Sequence, residues 1–125
     1  MKFEKQFYFK KLNDYFSAFS DKDLSALSEL LSDDACLIDW EIEVEGKEAF
    51  LNANKEIFSK CEKIIIYRNT FFYGEIFQQI ESTNKNFDTF FCPILINVDG
   101  NMLKVLDSIS FNEEGKICRV IAYRQ

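Results

Sequence analysis

Histidine is absent from this chain of 125 residues, proline occurs once and glycine four times. Without imidazole there is no Ser–His or Cys–His nucleophile and no histidine-ligated zinc. So little Gly and Pro leaves almost nothing for linkers. With 47% apolar and 29% charged residues, the composition excludes a disordered tail, a collagen-like repeat and a flexible multi-domain string. Cationic charge is short as well: 15 Lys and Arg stand against 21 Asp and Glu, a formal net charge of −6, with no basic cluster. Phosphate contacts need clustered Lys and Arg, so nucleic acid is not an expected partner. No run approaches the roughly 18 apolar residues of a membrane span. The opening Met1-Lys2-Phe3-Glu4-Lys5 and Phe7-Tyr8-Phe9-Lys10-Lys11 leads into no unbroken apolar stretch, so it is not read as a secretion signal. Cys36, Cys61, Cys92 and Cys118 are irregularly spaced with no CxxC pair, which supports neither a zinc ribbon nor a thioredoxin-like site. They read as reduced core residues of a cytoplasmic protein.

What is present is apolar and aromatic side chains in periodic order. The length supports one core, hence a single domain over residues 1–125. Residues 1–62 carry 8 basic and 14 acidic side chains, residues 63–125 carry 7 of each, and the structural signals divide at the same place. Tyr8, Leu12, Tyr15, Phe16 and Phe19 mark one face of a first helix. Ser20-Asp21-Lys22-Asp23 stops it and caps a second, whose stripe is Leu24, Leu27, Leu30 and Leu31. Asp33-Asp34 suits an exit turn, because a helix C-terminus repels anions. An extended segment spans Ala35 to Val44. Gly46 then opens a third helix with Phe50, Ala53, Ile57 and Phe58 on its buried side. From Ile64 the chain is β-rich, with breaks at Gly74-Glu75 and Thr83-Asn84-Lys85-Asn86, a hairpin at Asp99-Gly100 and a longer turn at Glu113-Glu114-Gly115. Pro93, mid-strand, implies a bulge or an edge. Helices followed by a meander of long strands is an α+β arrangement.

Three polar residues stand out against this frame. In the strand after Gly100 one face reads Leu103, Val105, Asp107, Ile109 and Phe111, which puts a carboxylate among apolar neighbours. Asp107 is then either a buried acid satisfied by an amide, a tyrosine or an arginine such as Arg68 or Arg119, or a neutral acid free to donate a hydrogen bond. Asp39 either joins the solvated side formed with Glu41, Glu43 and Glu45 or, sharing parity with Ala35 and Leu37, is the last inward residue. Tyr15 lies on the buried stripe of the first helix, where a tyrosine is usually core. The 14 phenylalanines read first as core, and an aromatic content of 16% also leaves room for a surplus of apolar surface that suits an apolar pocket or a subunit interface.

The segments Asp14-Tyr15-Phe16-Ser17-Ala18-Phe19, Asp23-Leu24-Ser25-Ala26-Leu27 and Leu30-Leu31-Ser32-Asp33-Asp34-Ala35 resemble the opening of SnoaL-like and ketosteroid-isomerase-like proteins of the nuclear transport factor 2 superfamily. Gly46-Lys47-Glu48-Ala49 resembles that family's entry to its third helix. Val105-Leu106-Asp107-Ser108-Ile109-Ser110-Phe111 with Glu114-Gly115-Lys116-Ile117 and Ala122-Tyr123 resembles its last two strands. The resemblance covers nearly the whole chain. It implies a cystatin-like cone, three N-terminal helices packed in a strongly curved antiparallel sheet around an apolar pocket, and a homodimer. Tyr15 falls on the tyrosine that donates to an enolate oxygen, Asp39 on the catalytic base, and Asp107 on the carboxylic acid kept neutral in the oxyanion hole. The pattern departs where Trp40 follows the base in place of a proline, along Glu41 to Glu45, and between Phe87 and Asn97.

The expected function is therefore cofactor-independent proton transfer on a small apolar carbonyl compound, by isomerisation, cyclisation or dehydration. Phe16, Trp40, Phe58 and Phe111 are expected as pocket walls from helix and strand parity. The rival readings are a non-catalytic binder of a small apolar ligand and a dimeric interaction module whose cone is packed shut. A hydrolase with an Asp–Arg–Asp arrangement would draw on Arg68 or Arg119.

Overall fold

In the computed structural model, which describes residues 2–68, the backbone of 78–81, and 87–125, the first apolar stripe winds into α1 (Lys5–Ser20). Tyr8, Leu12, Tyr15, Phe16 and Ala18 are its buried face. The Asp21–Asp23 turn ends it, and the Asp23 carboxylate accepts from Ala26 N at 3.0 Å to cap α2 (Leu24–Leu30). The Lys116 ammonium donates to the Glu29 carbonyl at 2.7 Å, supplying the cation that the last turn of α2 lacks.

Asp33 and Asp34 do not form an exit turn: the chain goes straight into β1 (Leu31–Ile38) and both are exposed within it. Leu31 already pairs with Ile117, and the register shifts before the pairing resumes at Cys36 and Arg119. The two aspartates occupy that irregular stretch, where exposure and the Ser32 Oγ–Asp34 Oδ1 hydrogen bond of 2.7 Å satisfy them. The acidic segment is likewise not one extended strand. It folds back after Ile38, and β2 (Glu43–Glu45) pairs antiparallel with β1. Gly46, at φ +94°, leads into α3 (Lys47–Ser59), whose buried residues are Phe50, Asn54 and Phe58. Ala53 and Ile57, expected on that face, are only partly buried.

The remaining chain supplies β3 (Ile64–Arg68), β4 (Gln78–Glu81), β5 (Asp88–Val98), β6 (Asn101–Phe111) and β7 (Ile117–Arg124). The curled sheet runs β2-β1-β7-β6-β5-β3, with β4 also pairing with β5. All its pairs are antiparallel except β1 with β7, which is parallel. Pro93 makes no bulge against β6, where it pairs in unbroken register with Leu106. The breaks expected at Gly74-Glu75 and Thr83-Asn84-Lys85-Asn86 lie outside the described residues.

Residues of all three helices and the concave sheet face share one apolar core. Its end beneath the N-terminus is aromatic: Tyr8 packs on Phe90 at 4.9 Å and on Phe111 at 5.1 Å between ring centroids. Cys92 and Cys118 are buried, whereas Cys36 and Cys61 are half-buried rather than core. No described helix is long and apolar enough to cross a membrane.

Asp99 and Gly100 turn the β5–β6 hairpin with φ of +51° and +91°, the left-handed pair that a two-residue connection requires. Gly115 also has positive φ, but its surroundings differ. A Cβ there would lie 2.6 Å from Phe7 Cζ, while one on Gly100 would meet nothing within 4 Å. Gly100→Ala is therefore expected to cost about 1 kcal/mol of backbone strain. Gly115→Ala adds overpacking to that strain and is expected to cost roughly 2–3 kcal/mol. Urea unfolding of the two variants checks the order.

Candidate functional site

Because paired residues share a face, the sheet register determines what lies under the helices. Asp107 is flanked by Cys92 on β5 and Ala122 on β7. One step along, Val105 pairs with Ile94, and Leu103 with Ile96, which in turn faces Ile66. All of these side chains but Cys92, with Tyr15, Phe16 and Phe19 of α1 and Asn54 and Ile57 of α3, line a cavity of about 220 Å³. The β1–β2 turn closes one side with Asp39, Trp40, Glu41 and Ile42. Apolar walls with a few convergent polar groups have the composition of a small-molecule site.

Asp107 is buried and makes no hydrogen bond to a described residue. Burial pushes its carboxyl up to about 7, and the nearby Asp39 charge adds to the shift. The arginine pairing is not made. Arg119 is exposed, 5.7 Å from the Phe87 ring centroid, and the Arg68 guanidinium lies over Phe16 at 5.1 Å. Burial raises the Tyr15 hydroxyl well above its ordinary value, again with help from Asp107. The phenol makes no hydrogen bond to a described residue either, so in their neutral forms both groups are donors without a protein acceptor. Cys92 is pushed up by burial and then by Asp107, against Arg68, which leaves it a thiol rather than a nucleophile.

Asp39 combines the two readings that its sequence position allowed. It ends the inward series Ala35, Leu37, Asp39 and lines the cavity, yet it is half-buried at a turn that its own carboxylate builds. Its Oδ1 accepts from Glu41 N at 2.7 Å and Ile42 N at 2.6 Å, while its N–H donates to the Ile42 carbonyl at 2.8 Å. These bonds fix the carboxyl and leave Oδ2 without a hydrogen bond to a described residue.

Two expected wall residues are elsewhere. Phe111 is fully buried in the aromatic cluster with Tyr8 and Phe90, at the opposite end of β6 from Leu103. Phe58 does not line the cavity, and its ring packs edge-on at 5.0 Å against that of Phe19, which does. Parity gives the face of an element but not the position along it. Phe16 and Trp40 do line the cavity. The residue that sequence reasoning missed is Asn54. It is 1% exposed, it lines the cavity, and its Nδ2 has no hydrogen-bond partner. An orphaned buried amide costs about 1–3 kcal/mol. The signal was available, since Phe50, Asn54 and Phe58 recur every four residues. Among the described residues no group of three or more Cys, Asp or Glu is placed to hold a metal ion.

The neutral form of Asp107 is preferred by the folded chain over the unfolded one. Its stabilising contribution is therefore complete below about pH 4 and is lost as pH rises to 7, a change on the order of 4 kcal/mol. Asp107→Asn removes this dependence. The variant is expected to melt above the wild type at pH 8, with the advantage shrinking toward pH 4, as thermal unfolding across that range would show.

No protein-family model and no curated protein matches this sequence. Solved structures do match. Nuclear transport factor 2 from Cryptosporidium parvum superposes with a TM-score of 0.75 at 14% identity, over 96% of this chain and 93% of that one. A SnoaL-like family protein from Agrobacterium tumefaciens, described as a candidate isomerase, superposes with a TM-score of 0.67 at 15% identity, over 96% and 98%. The canthaxanthin-binding orange carotenoid protein of Anabaena matches with a TM-score of 0.71 at 15% identity, over 90% of this chain and 34% of its own. With its curled sheet closed over three helices, the chain has the nuclear transport factor 2-like fold.

Proposed function

We propose that this chain carries out cofactor-independent proton transfer on a small uncharged carbonyl compound held in the cavity. The observation that carries the reading is that Tyr15, Asp39 and Asp107 all line the one cavity, with Tyr15 and Asp107 both driven toward their neutral forms. Asp39 takes a proton from the carbon next to the carbonyl. The C–H electron pair forms the enolate double bond, and the carbonyl pair moves to oxygen. Tyr15 and Asp107 donate to that oxygen. Asp39 then returns the proton to the same or a conjugated carbon, or a leaving group departs. Each such donor is typically worth about 3–4 kcal/mol to the transition state. The Agrobacterium relative's description as a candidate isomerase supports this chemistry on the fold, and the carotenoid-binding relative supports an apolar ligand. The cavity disfavours the packed-shut reading, since unfilled volume at about 24 cal/mol per Å³ is a cost a purely structural core would not keep.

Exchange of the α-hydrogens of 1-tetralone in D₂O, followed by proton NMR, tests this without knowledge of the natural substrate. Catalysed exchange is expected, weakening as pH rises through 7 and Asp107 ionises. Asp39→Asn should abolish it while 1-tetralone still binds, and Tyr15→Phe should slow it by about 10²-fold. Bound ketone that exchanges no faster than in buffer would leave the chain a binding protein.

A homodimer is the second part of the reading, supported by the outer sheet face. There Tyr67 pairs with Leu95, and Pro93, Leu106 and Tyr123 follow one another across β5, β6 and β7. Tyr67 and Tyr123 are exposed, as is Met102. Exposed Lys104, opposite Leu95, interrupts these residues, and large apolar side chains gathered on one sheet face favour a partner over water. Light scattering is expected to give twice the chain mass for the wild type and the single mass for Leu106→Glu.

A further inference from the structure

We propose that Asn54 is a specificity-determining donor, so that the ligand is an uncharged molecule carrying a second oxygen besides the reacting carbonyl. The inference rests on the proposed reading of the cavity and extends it to a substrate class. Asn54 interrupts an otherwise aromatic stripe of α3, between Phe50 and Phe58. Its side chain is almost wholly removed from solvent, and Nδ2 is fully enclosed without a hydrogen-bond partner. Buried amides that serve only structure are hydrogen-bonded, and this one faces a cavity instead.

The count of donors gives the second oxygen. A carbonyl oxygen has two lone pairs, and Tyr15 with neutral Asp107 supplies a donor for each. Asn54 bonds to neither residue, so its N–H is left for another acceptor. The charge follows from the rest of the wall. Asp39, Glu41 and Asp107 all line the cavity, and no Lys or Arg does so among the described residues. An anionic ligand would lose its hydration and gain no cation, while a neutral ketone with a hydroxyl or ether oxygen meets a donor at each end.

Binding of 1-tetralone, its 5-, 6- and 7-hydroxy derivatives and 1-naphthoate to the wild type and to Asn54→Leu tests the proposal. At least one hydroxy-ketone is expected to bind the wild type roughly five- to tenfold more tightly than 1-tetralone, the increment of one added hydrogen bond. Asn54→Leu should erase that gain, so that the hydroxy-ketone and 1-tetralone bind alike, and raise the melting temperature, because an orphaned amide has been removed. A structural asparagine would instead lower the melting temperature when replaced. The proposal is overturned if no hydroxy-ketone gains affinity, if the gain survives in Asn54→Leu, or if 1-naphthoate binds as tightly as the ketones. Should Asn54→Leu not fold, the wild-type side-chain ¹⁵N–¹H signals of Asn54 decide. They must move when the favoured hydroxy-ketone is added, and unmoved signals reject the role. Loss of α-hydrogen exchange with this selectivity intact would count against proton transfer alone, whereas failure of every ketone to bind removes both readings.

Discussion

A carboxyl group placed in the middle of a long central strand, with its side chain on the concave face, must be neutralised by a cation, hydrogen-bonded, or kept beside open space. Asp107 takes the third course. The neighbours that the register puts beside it are Cys92 and Ala122, two of the smallest apolar residues on that face. Farther along, branched side chains such as Ile94, Ile96 and Val105 build walls that cannot lean over the gap without leaving their own packing. Of these neighbours Ala122 lines the cavity beside the acid, and the aromatic cluster of Tyr8, Phe90 and Phe111 carries the close packing at the other end. The mouth is held by a turn stitched with Asp39's own carboxylate, so the acid that faces Asp107 also shapes the backbone that positions it.

Much of this was legible in the sequence because two periodicities are strong. Spacing of three and four placed Tyr15 and Phe16 on the inner face of α1, and strict alternation along β6 placed Asp107 inward. The Asp99-Gly100 pair marked its hairpin to the residue. Other features were not legible, each for a physical reason. Alternating acids from Asp39 to Glu45 have the signature of a strand, and only the pairing of Cys36 with Glu45 shows that the chain reverses within them. The parallel contact of β1 with β7 joins residues some eighty positions apart, beyond the reach of any local pattern. Phe58 and Phe111 had the right faces and the wrong ends. Asn54 was within reach, since a polar residue midway between two buried phenylalanines on one helix stripe is as conspicuous as Asp107 among aliphatics.

Asp107 and Asn54 also share an energetic character. Each is a polar group that the folded state removes from water without returning a protein partner, and each lowers stability compared with an apolar residue of similar shape. Natural proteins hold such groups where activity or recognition needs them, and a more stable sequence is then close at hand. In this chain the two lie on opposite layers, one on the sheet and one on α3, so the destabilisation is distributed around one volume rather than concentrated in one element.

Trp40 stands at the rim of that volume, 44% exposed, with the Arg124 guanidinium 5.9 Å from the centre of its ring. It is the only tryptophan in the chain. Its indole emission therefore comes from a single place, the cavity entrance, and depends on how much water touches the ring and how near the guanidinium sits. A molecule entering past it changes both at once, so the protein carries an intrinsic optical gauge of occupancy that needs no label and no engineered substitution.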